Sequence, residues 1–320
     1  MNTKTILYMA PILGITGALY RNEYSRFFDG YDHAVTPFIK SSKGRRSTLK
    51  DILPKNNDTS FKIIPQVLDK DPDDFVPLAK AIFDLGYDTL NWNLGCPLAM
   101  VRNKGRGSGM LPLADDIVKF LDKVVPEIPN HLSIKVRLGS ESPRDLARLL
   151  PRLNDIPLKE IIIHPRTGKQ MYEGDANLDA FQEALSLTKH PIVYNGDIKS
   201  VKTFKALSKR FPEISRWMIG RGGVTDPFLP EEIKALTHCT YKEKLDRFLS
   251  FHNAVFTAYQ KKLSGSAHLI GKMKEVWRYW AEAFEGGDKV FYKITRTRTA
   301  DSYISTVNNF FGKRPELKGE

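Results

Sequence analysis

The chain has 320 residues, 41% of them hydrophobic and 27% charged, the make-up of a soluble globular protein with a sizeable core, built as one large domain or as a large domain with a smaller one. Two cysteines, Cys96 and Cys239, exclude a disulfide framework and make a reducing cytoplasm the expected compartment; no apolar run is long enough for a bilayer, the N-terminus lacks a signal-peptide pattern, and no Cys/His cluster has zinc-ligand spacing. The net charge of +12, from 49 basic and 37 acidic residues, bears on partners rather than fold: it favours a polyanion such as nucleic acid, against the plainer alternative of a generally basic protein.

Short β-rich runs recur at a regular interval. Residues 6–9, 33–36, 62–67, 88–92, 132–137, 160–164, 191–195 and 216–219 read as strands. Residues 18–28, 72–85, 115–125, 143–153, 177–187, 200–211 and 226–236 read as helices. Asp71-Pro72 supplies an acidic N-cap and a proline at the first helical position, and Ser142-Pro143 repeats the device. The strands are apolar rather than alternating, as expected when both faces are covered. Eight strands alternating with helices over about 240 residues predict a (β/α)8 TIM barrel, an α/β fold. A doubly wound open sheet is the runner-up, weakened by the lack of G-x-G-x-x-G after the first strand. Beyond residue 240 the β runs stop, and residues 241–263, 267–284 and 289–310 predict three helices, punctuated by Ser264-Gly265-Ser266 and Gly286-Gly287. The expected division is therefore a barrel over 1–240 and an all-helical domain over 241–320. The helical part carries 15 basic and 9 acidic residues, half of the net charge in a quarter of the chain.

Chemistry in such a barrel sits where strands end and the following loops begin. After the first strand, the small-residue turn from Ala10 through Pro11, Ile12 and Leu13 to Gly17 would let a flat ligand approach backbone. Lys40-Ser41-Ser42-Lys43-Gly44-Arg45-Arg46 after the second is a phosphate-contacting strip or a solvated loop. Gln66, ending the third, can present donor and acceptor to a heteroaromatic ring, or it can satisfy backbone. The fourth strand carries Asn91 and Asn93 on one face and leads to Cys96, at the start of a basic, Gly-rich stretch from Arg102 to Gly109. A thiol there is expected to be partly exposed, beside cations and on mobile backbone, which suits a reactive cysteine; the plainer alternative is a small apolar residue at a strand end. Lys135 and Arg137 share a face at the end of the fifth strand, where a bound anion or electron-rich ring would pair a lysine. His164 and Arg166 end the sixth. Asn195-Gly196-Asp197 and Gly220-Arg221-Gly222-Gly223 follow the seventh and eighth, the positions at which barrels hold phosphate on backbone N–H groups. Together these describe a flavin mononucleotide barrel with a cysteine proton donor.

The motifs resemble those of the tRNA-dihydrouridine synthases, most nearly the bacterial C-type branch, over almost the whole chain. Asn93-Leu94-Gly95-Cys96-Pro97 is similar to the family's N-x-G-C-P signature. His164-Pro165-Arg166-Thr167-Gly168-Lys169-Gln170-Met171-Tyr172-Glu173-Gly174 is similar to its H-x-R-T-x-x-Q-x-Y-x-G signature, and Lys135-Val136-Arg137-Leu138-Gly139, Asn195-Gly196-Asp197 and Gly220-Arg221-Gly222 support the match. The resemblance implies that Cys96 is the general acid. It implies that Pro11, Ile12, Leu13, Gln66, Lys135, His164, Asn195, Gly196, Asp197, Gly220 and Arg221 bind FMN, and that Asn93, Arg166, Tyr172 and Lys40 contact the RNA. Ile12 and Gly17 depart from the family's M-x-G-V-T-D, and Leu98-Ala99-Met100 replaces a region where a lysine is common. The implied reaction reduces the C5=C6 bond of a uridine in tRNA: NADPH (or NADH) reduces FMN, hydride passes to C6, and Cys96 protonates C5. Charge alone suggests Lys272, Lys274, Arg296 and Arg298 as further RNA contacts. No metal is expected, and a monomer is the default. Alternatives are an FMN reductase of a free pyrimidine or small enone, a non-catalytic RNA-binding barrel, and an aldolase-type barrel with Lys135 as Schiff base. The basic tail argues against the first, the retained Cys96, Lys135 and phosphate turns against the second, and the Cys96 stretch and the net charge against the third.

Overall fold

Ten short strands carry the sheet: β1 (Ile6–Met9), β2 (His33–Val35), β3 (Ile39–Lys40), β4 (Lys62–Ile64), β5 (Gln66–Leu68), β6 (Thr89–Leu94), β7 (His131–Gly139), β8 (Ile161–Thr167), β9 (Ile192–Asn195) and β10 (Arg216–Ile219). The structure is a computed structural model describing residues 5–40, 46–236 and 239–318, with side chains in all of these but 46–48. All strand pairs are parallel, in the order β3-β5-β6-β7-β8-β9-β10-β1-β2-β4. The two ends of that order are one place. β4 and β5 are halves of a single strand split at Pro65, which has no N–H to give a ladder. β2 and β3 are likewise halves of one strand. Because β2 pairs with β4 and β3 with β5, the ring closes with eight strand positions.

Tyr8, Val35, Ile64, Ile162, Val193 and Met218, each from a different strand, form one buried cluster that fills the barrel. The opposite strand faces pack on the helices, so β6 and β8 are buried along their whole length. That is why β8 opens on the unbroken apolar run Ile161-Ile162-Ile163. β6 still alternates, because Asn91 and Asn93 form a buried polar network with Gln66 on one face while Leu90, Trp92 and Leu94 are apolar. Asp71 caps the helix Pro72–Asp84 by accepting from the Asp73 N–H at 3.0 Å.

Two expected helices differ. The expected 226–236 helix is only Leu229–Ile233, and a separate short helix, Arg221–Thr225, ends before Asp226-Pro227. Proline disfavours helical backbone at the residue before it, and Asp226 is extended. Residues 289–310 divide into Gly287–Arg296 and Ala300–Phe311. Thr299 caps the second in a reciprocal pair with Ser302, a competing use of the backbone that ends one helix and starts another. The expected 267–284 helix is Ser266–Trp280 followed by a 3-10 turn, Ala281–Ala283.

The helical region shares the barrel's core. Phe251, on the helix Tyr241–Lys262, meets Phe28 edge-to-face at 5.0 Å and also packs on Tyr20 and Tyr24. Arg247 on the same helix donates to the Phe27 carbonyl at 2.5 Å and to the buried Glu231 carboxylate at 3.0 Å, with its guanidinium over the Phe28 and Phe228 rings. The helix Ser266–Trp280 packs on the short helix Arg221–Thr225 after β10. Among the described residues no helix is long and apolar enough to cross a membrane.

Candidate active site

The C-terminal ends of β1, β7, β8, β9 and β10 open into one cavity of about 330 Å³. Of the residues expected at a cofactor, Pro11, Ile12, Lys135, His164, Asn195, Gly196, Asp197, Gly220 and Arg221 line it; Arg166 and Tyr172 line it too. Leu13 and Gln66 do not. Leu13 lies in a neighbouring groove with Lys40 and Lys272, between the barrel rim and the helical region. Gln66 is fully buried: its amide donates to Asn91 Oδ1 at 2.7 Å and its carbonyl accepts from Asn93 Nδ2 at 2.7 Å.

Positive charge dominates this cavity. The Lys135 side chain makes no hydrogen bond or ion pair among the described residues. Burial, then the Arg137 guanidinium, push its ammonium down to about 7. His164 is lowered well below its usual value by burial and by Arg137, Lys135, Arg166 and Arg221, so it is neutral. Arg166 Nη1 lies 3.1 Å from His164 Nε2. A guanidinium has only donors, so Nε2 accepts and the ring proton sits on Nδ1. Arg166, only 2% exposed, also donates to the Gly174 carbonyl at 2.6 Å and to Asp197 Oδ2 at 2.5 Å. Burial alone would raise the Asp197 carboxyl; the Arg166 hydrogen bond and charge outweigh it and hold the group below the carboxylate range. Asp197 Oδ1 is buried with no hydrogen bond, 3.6 Å from Arg221. Arg137 spends Nη1 on the Thr167 and Met171 carbonyls at 2.7 and 2.5 Å. The exposed Tyr172 ring lies against two guanidiniums, 4.7 Å from Arg221 and 5.3 Å from Arg137.

Cys96 corrects a sequence expectation. Its thiol is not partly exposed on open backbone: the residue is 7% accessible and packs with Leu68, Val101, Phe38 and Leu98. The stretch after it is folded into the helix Ala99–Arg102 and a 3-10 turn, Gly107–Met110. Ser108 donates to the Cys96 carbonyl from N at 3.1 Å and Oγ at 3.0 Å, and Cys96 N donates to Asn93 Oδ1 at 2.8 Å. The glycines are what allow this closeness. Gly107 has φ +57°, and a Cβ there would lie 2.8 Å from the Cys96 carbonyl oxygen. Burial pushes the Cys96 thiol up, outweighing the Leu98 N–H, Arg137, Lys40 and Lys135, which pull it down.

Asn93 and Arg166 are therefore buried, with their polar atoms bonded inside the protein, whereas Lys40 and Tyr172 are exposed at the rim. In the helical region, Lys272 donates to the Gly14 carbonyl at 3.0 Å and pairs with Glu275, and Lys274 donates to the Thr297 carbonyl at 2.8 Å. Arg296 lies 4.2 Å over the Tyr292 ring, and Arg298 is exposed. Residues 41–45 of the basic strip lie outside the described residues, and nothing is described of the Arg46 side chain. Four polar cavity residues were not singled out in the sequence: Lys199, Arg278, Tyr279 and Glu282. Lys199 was within reach, two residues beyond the turn after β9. The other three carry no local signal, since only the packing of the C-terminal helix brings them to the barrel mouth.

The dihydrouridine synthase (Dus) family model matches residues 8–304. The tRNA-dihydrouridine synthase B of Pasteurella multocida is 27% identical over 237 residues, covering 73% of this chain and 70% of its own. A probable tRNA-dihydrouridine synthase of Staphylococcus aureus is 23% identical over 328 residues, covering 98% and 95%. Among solved structures, the old yellow enzyme homologue of Zymomonas mobilis superposes with a TM-score of 0.54 at 11% identity, covering 73% of this chain and 89% of its own. At that identity the likeness speaks to the barrel fold alone.

Proposed function

Because the chain belongs to the dihydrouridine synthase family, and is thus an oxidoreductase, we propose that it reduces the C5=C6 bond of a uridine in tRNA with FMN as cofactor, NADPH or NADH as reductant and Cys96 as proton donor. The observation that carries this reading is the cavity at the barrel mouth. Lys135, Arg166, Lys199, Arg221 and Arg278 face only two carboxylates there, Asp197 and Glu282. Such a lining suits an anionic ligand. Asp197 Oδ1, which accepts no hydrogen bond, fits a hydroxyl donor on the same ligand, and the turns at Gly196 and Gly220 expose backbone to it. A phosphorylated flavin has all of these features. The residues that would hold it are Lys135, His164, Asn195, Asp197 and Arg221, with Pro11 and Ile12 against its ring. Gln66 acts through its bonds to Asn91 and Asn93.

When bound and reduced, the flavin supplies the hydride. The remaining steps belong to this chain. Lys135, with a value near 7, offers an ammonium or amine N–H to a ring acceptor at little cost. Neutral His164 presents Nδ1–H, its other nitrogen held by Arg166. The raised thiol of Cys96 keeps its proton at neutral pH, ready for transfer from Sγ to the uracil C5. Cys96 is buried in a cluster against which Phe38 and Leu98 pack, so the thiol has to be uncovered when the extruded base docks. We assign Tyr172 and Lys40 to RNA contact, and Asn93 and Arg166 to holding the Cys96 segment and His164 in place. The barrel over 1–240 then carries the chemistry and the helical unit over 241–320 the tRNA.

The test is an absorption spectrum of the purified protein, repeated after anaerobic NADPH and then tRNA lacking dihydrouridine. A yellow protein that bleaches and then reoxidises on adding tRNA is expected. A yellow protein that ignores tRNA would move the assignment to a small-molecule reductase. A colourless one unable to take up FMN would move it to an RNA-binding barrel without catalysis.

A further inference from the structure

We propose that Arg278, on the helix Ser266–Trp280, binds the phosphate monoester of the flavin nucleotide, so that the helical region completes a cofactor site the barrel leaves open on one side. This rests on the reading of the cavity as a flavin nucleotide site. The barrel supplies the turns at Gly196 and Gly220–Gly222, with Lys199 and Arg221. A Cβ on Gly222 would lie 2.1 Å from the Ile198 carbonyl oxygen, so the two turns are pressed together and present their backbone to a single place. Arg278, Tyr279 and Glu282 reach the same lining from the other region.

The barrel's own guanidiniums in this lining are committed. Arg166 is bonded to Gly174, His164 and Asp197. Arg221 is shared between Asp197 and the Tyr172 ring. A phosphate monoester carries about −1.5 to −2 charge at neutral pH and three acceptor oxygens, more than one shared guanidinium neutralises. Lys135 and Lys199 are point charges, and of the three guanidiniums in the lining Arg278 is the one with capacity to spare: it is exposed and its side chain makes no hydrogen bond or ion pair among the described residues. Its position is fixed from beneath. The flanking Trp277 and Trp280 are both fully buried, and their helix packs on Arg221–Thr225, the element that carries Arg221. Core packing thus fixes the backbone of Arg278 at the cavity rim, with the fork of donors on its side chain unspent. Cofactor affinity and the seating of the helical region are then one equilibrium.

The test titrates FMN and riboflavin, which lacks the phosphate, into full-length protein stripped of flavin, reading the quenching of flavin fluorescence. Wild type should prefer FMN. Arg278→Gln should weaken FMN about tenfold or more and leave riboflavin unchanged, so that the preference shrinks, and Arg278→Lys should restore most of it. Unchanged FMN affinity in Arg278→Gln would overturn the proposal, as would an equal loss of both ligands. So would a wild type indifferent to the phosphate. A raised KM for NADPH but not NADH, with FMN affinity intact, would assign Arg278 to the reductant instead. A wild-type protein that takes neither FMN nor riboflavin would sink the flavin reading itself, a result distinct from these.

Discussion

Cys96 gains its chemistry from burial. A proton donor must be neutral when its substrate arrives, and a thiol pushed up by burial stays protonated through neutral pH. The sign follows: ionisation removes the acid, so uridine reduction is lost as pH rises through the folded value, which lies above the free-thiol value of about 8.5. tRNA-dependent reoxidation of the reduced flavin should therefore be level through neutral pH and fall only in the alkaline range. Cys96→Ala should slow that step by about 100-fold or more while NADPH still bleaches the flavin at the wild-type rate. A normal rate of tRNA reduction in that variant would remove Cys96 from the mechanism. Gly107→Ala makes a subtler test. Its Cβ would enter the space of the Cys96 carbonyl, and its φ of +57° disfavours a side chain. Reoxidation by tRNA should fall in stopped-flow traces with bleaching by NADPH intact. The N-x-G-C-P run made Cys96 legible in the sequence. Its burial was not legible, because Phe38 and Leu68 arrive from other parts of the chain, and a Gly-rich stretch reads equally as an open loop or as a close-packed one.

Among the elements, the strands were the most legible and the helix breaks the least. Runs such as Ile161-Ile162-Ile163, buried on both faces, signal a covered parallel strand however the rest of the chain folds. The break at Asp226-Pro227 had a local cause that a helical reading of 226–236 passed over, and the Thr299–Ser302 cap competes with an equally helical pattern on either side. What no local pattern carries is how the helix Tyr241–Lys262 is fastened. Glu231 is fully buried, accepts from Asp29 N at 2.6 Å, and pairs with Arg247. Removing one partner of a buried pair leaves the other charge uncompensated, at a cost of about 3–5 kcal/mol. Glu231→Ala should lower the Tm by several degrees and the urea midpoint with it. Arg247 is partly open to solvent, and Arg247→Met, which keeps some of the packing on Phe28 and Phe228, removes the cation paired with the buried Glu231 carboxylate and should lower the Tm likewise. A melt unchanged in both variants would mean that the tail is held by its aromatic contacts alone.

At the scale of the whole molecule, the net charge of +12 pointed to a polyanion, but the sum says nothing about which cations are free to meet one. The structure sorts them. Lys274 is tied to the Thr297 carbonyl at the end of a helix, within the helical region, and Lys272 bridges Gly14 and Glu275, fitting that region to the barrel. Arg298 is exposed with no hydrogen bond or ion pair among the described residues, and Lys40 and Lys262 rim the groove beside the Cys96 segment. These two classes should separate by experiment. Each phosphate contact releases counterions, so log Kd for tRNA should rise linearly with log salt, and with six or more contacts affinity should fall about 1000-fold between about 50 and 200 mM salt. Arg298→Ala should reduce that slope by about 1 and leave the Tm untouched. Lys274→Ala should do the reverse, costing about 1 kcal/mol of stability through the lost hydrogen bond with little change in slope. A slope near zero in the wild type would mean that the basic surface does not meet phosphate at all. Equal slopes for wild type and Arg298→Ala would move the contact to the groove, where Lys40→Ala and Lys262→Ala are the next variants to titrate.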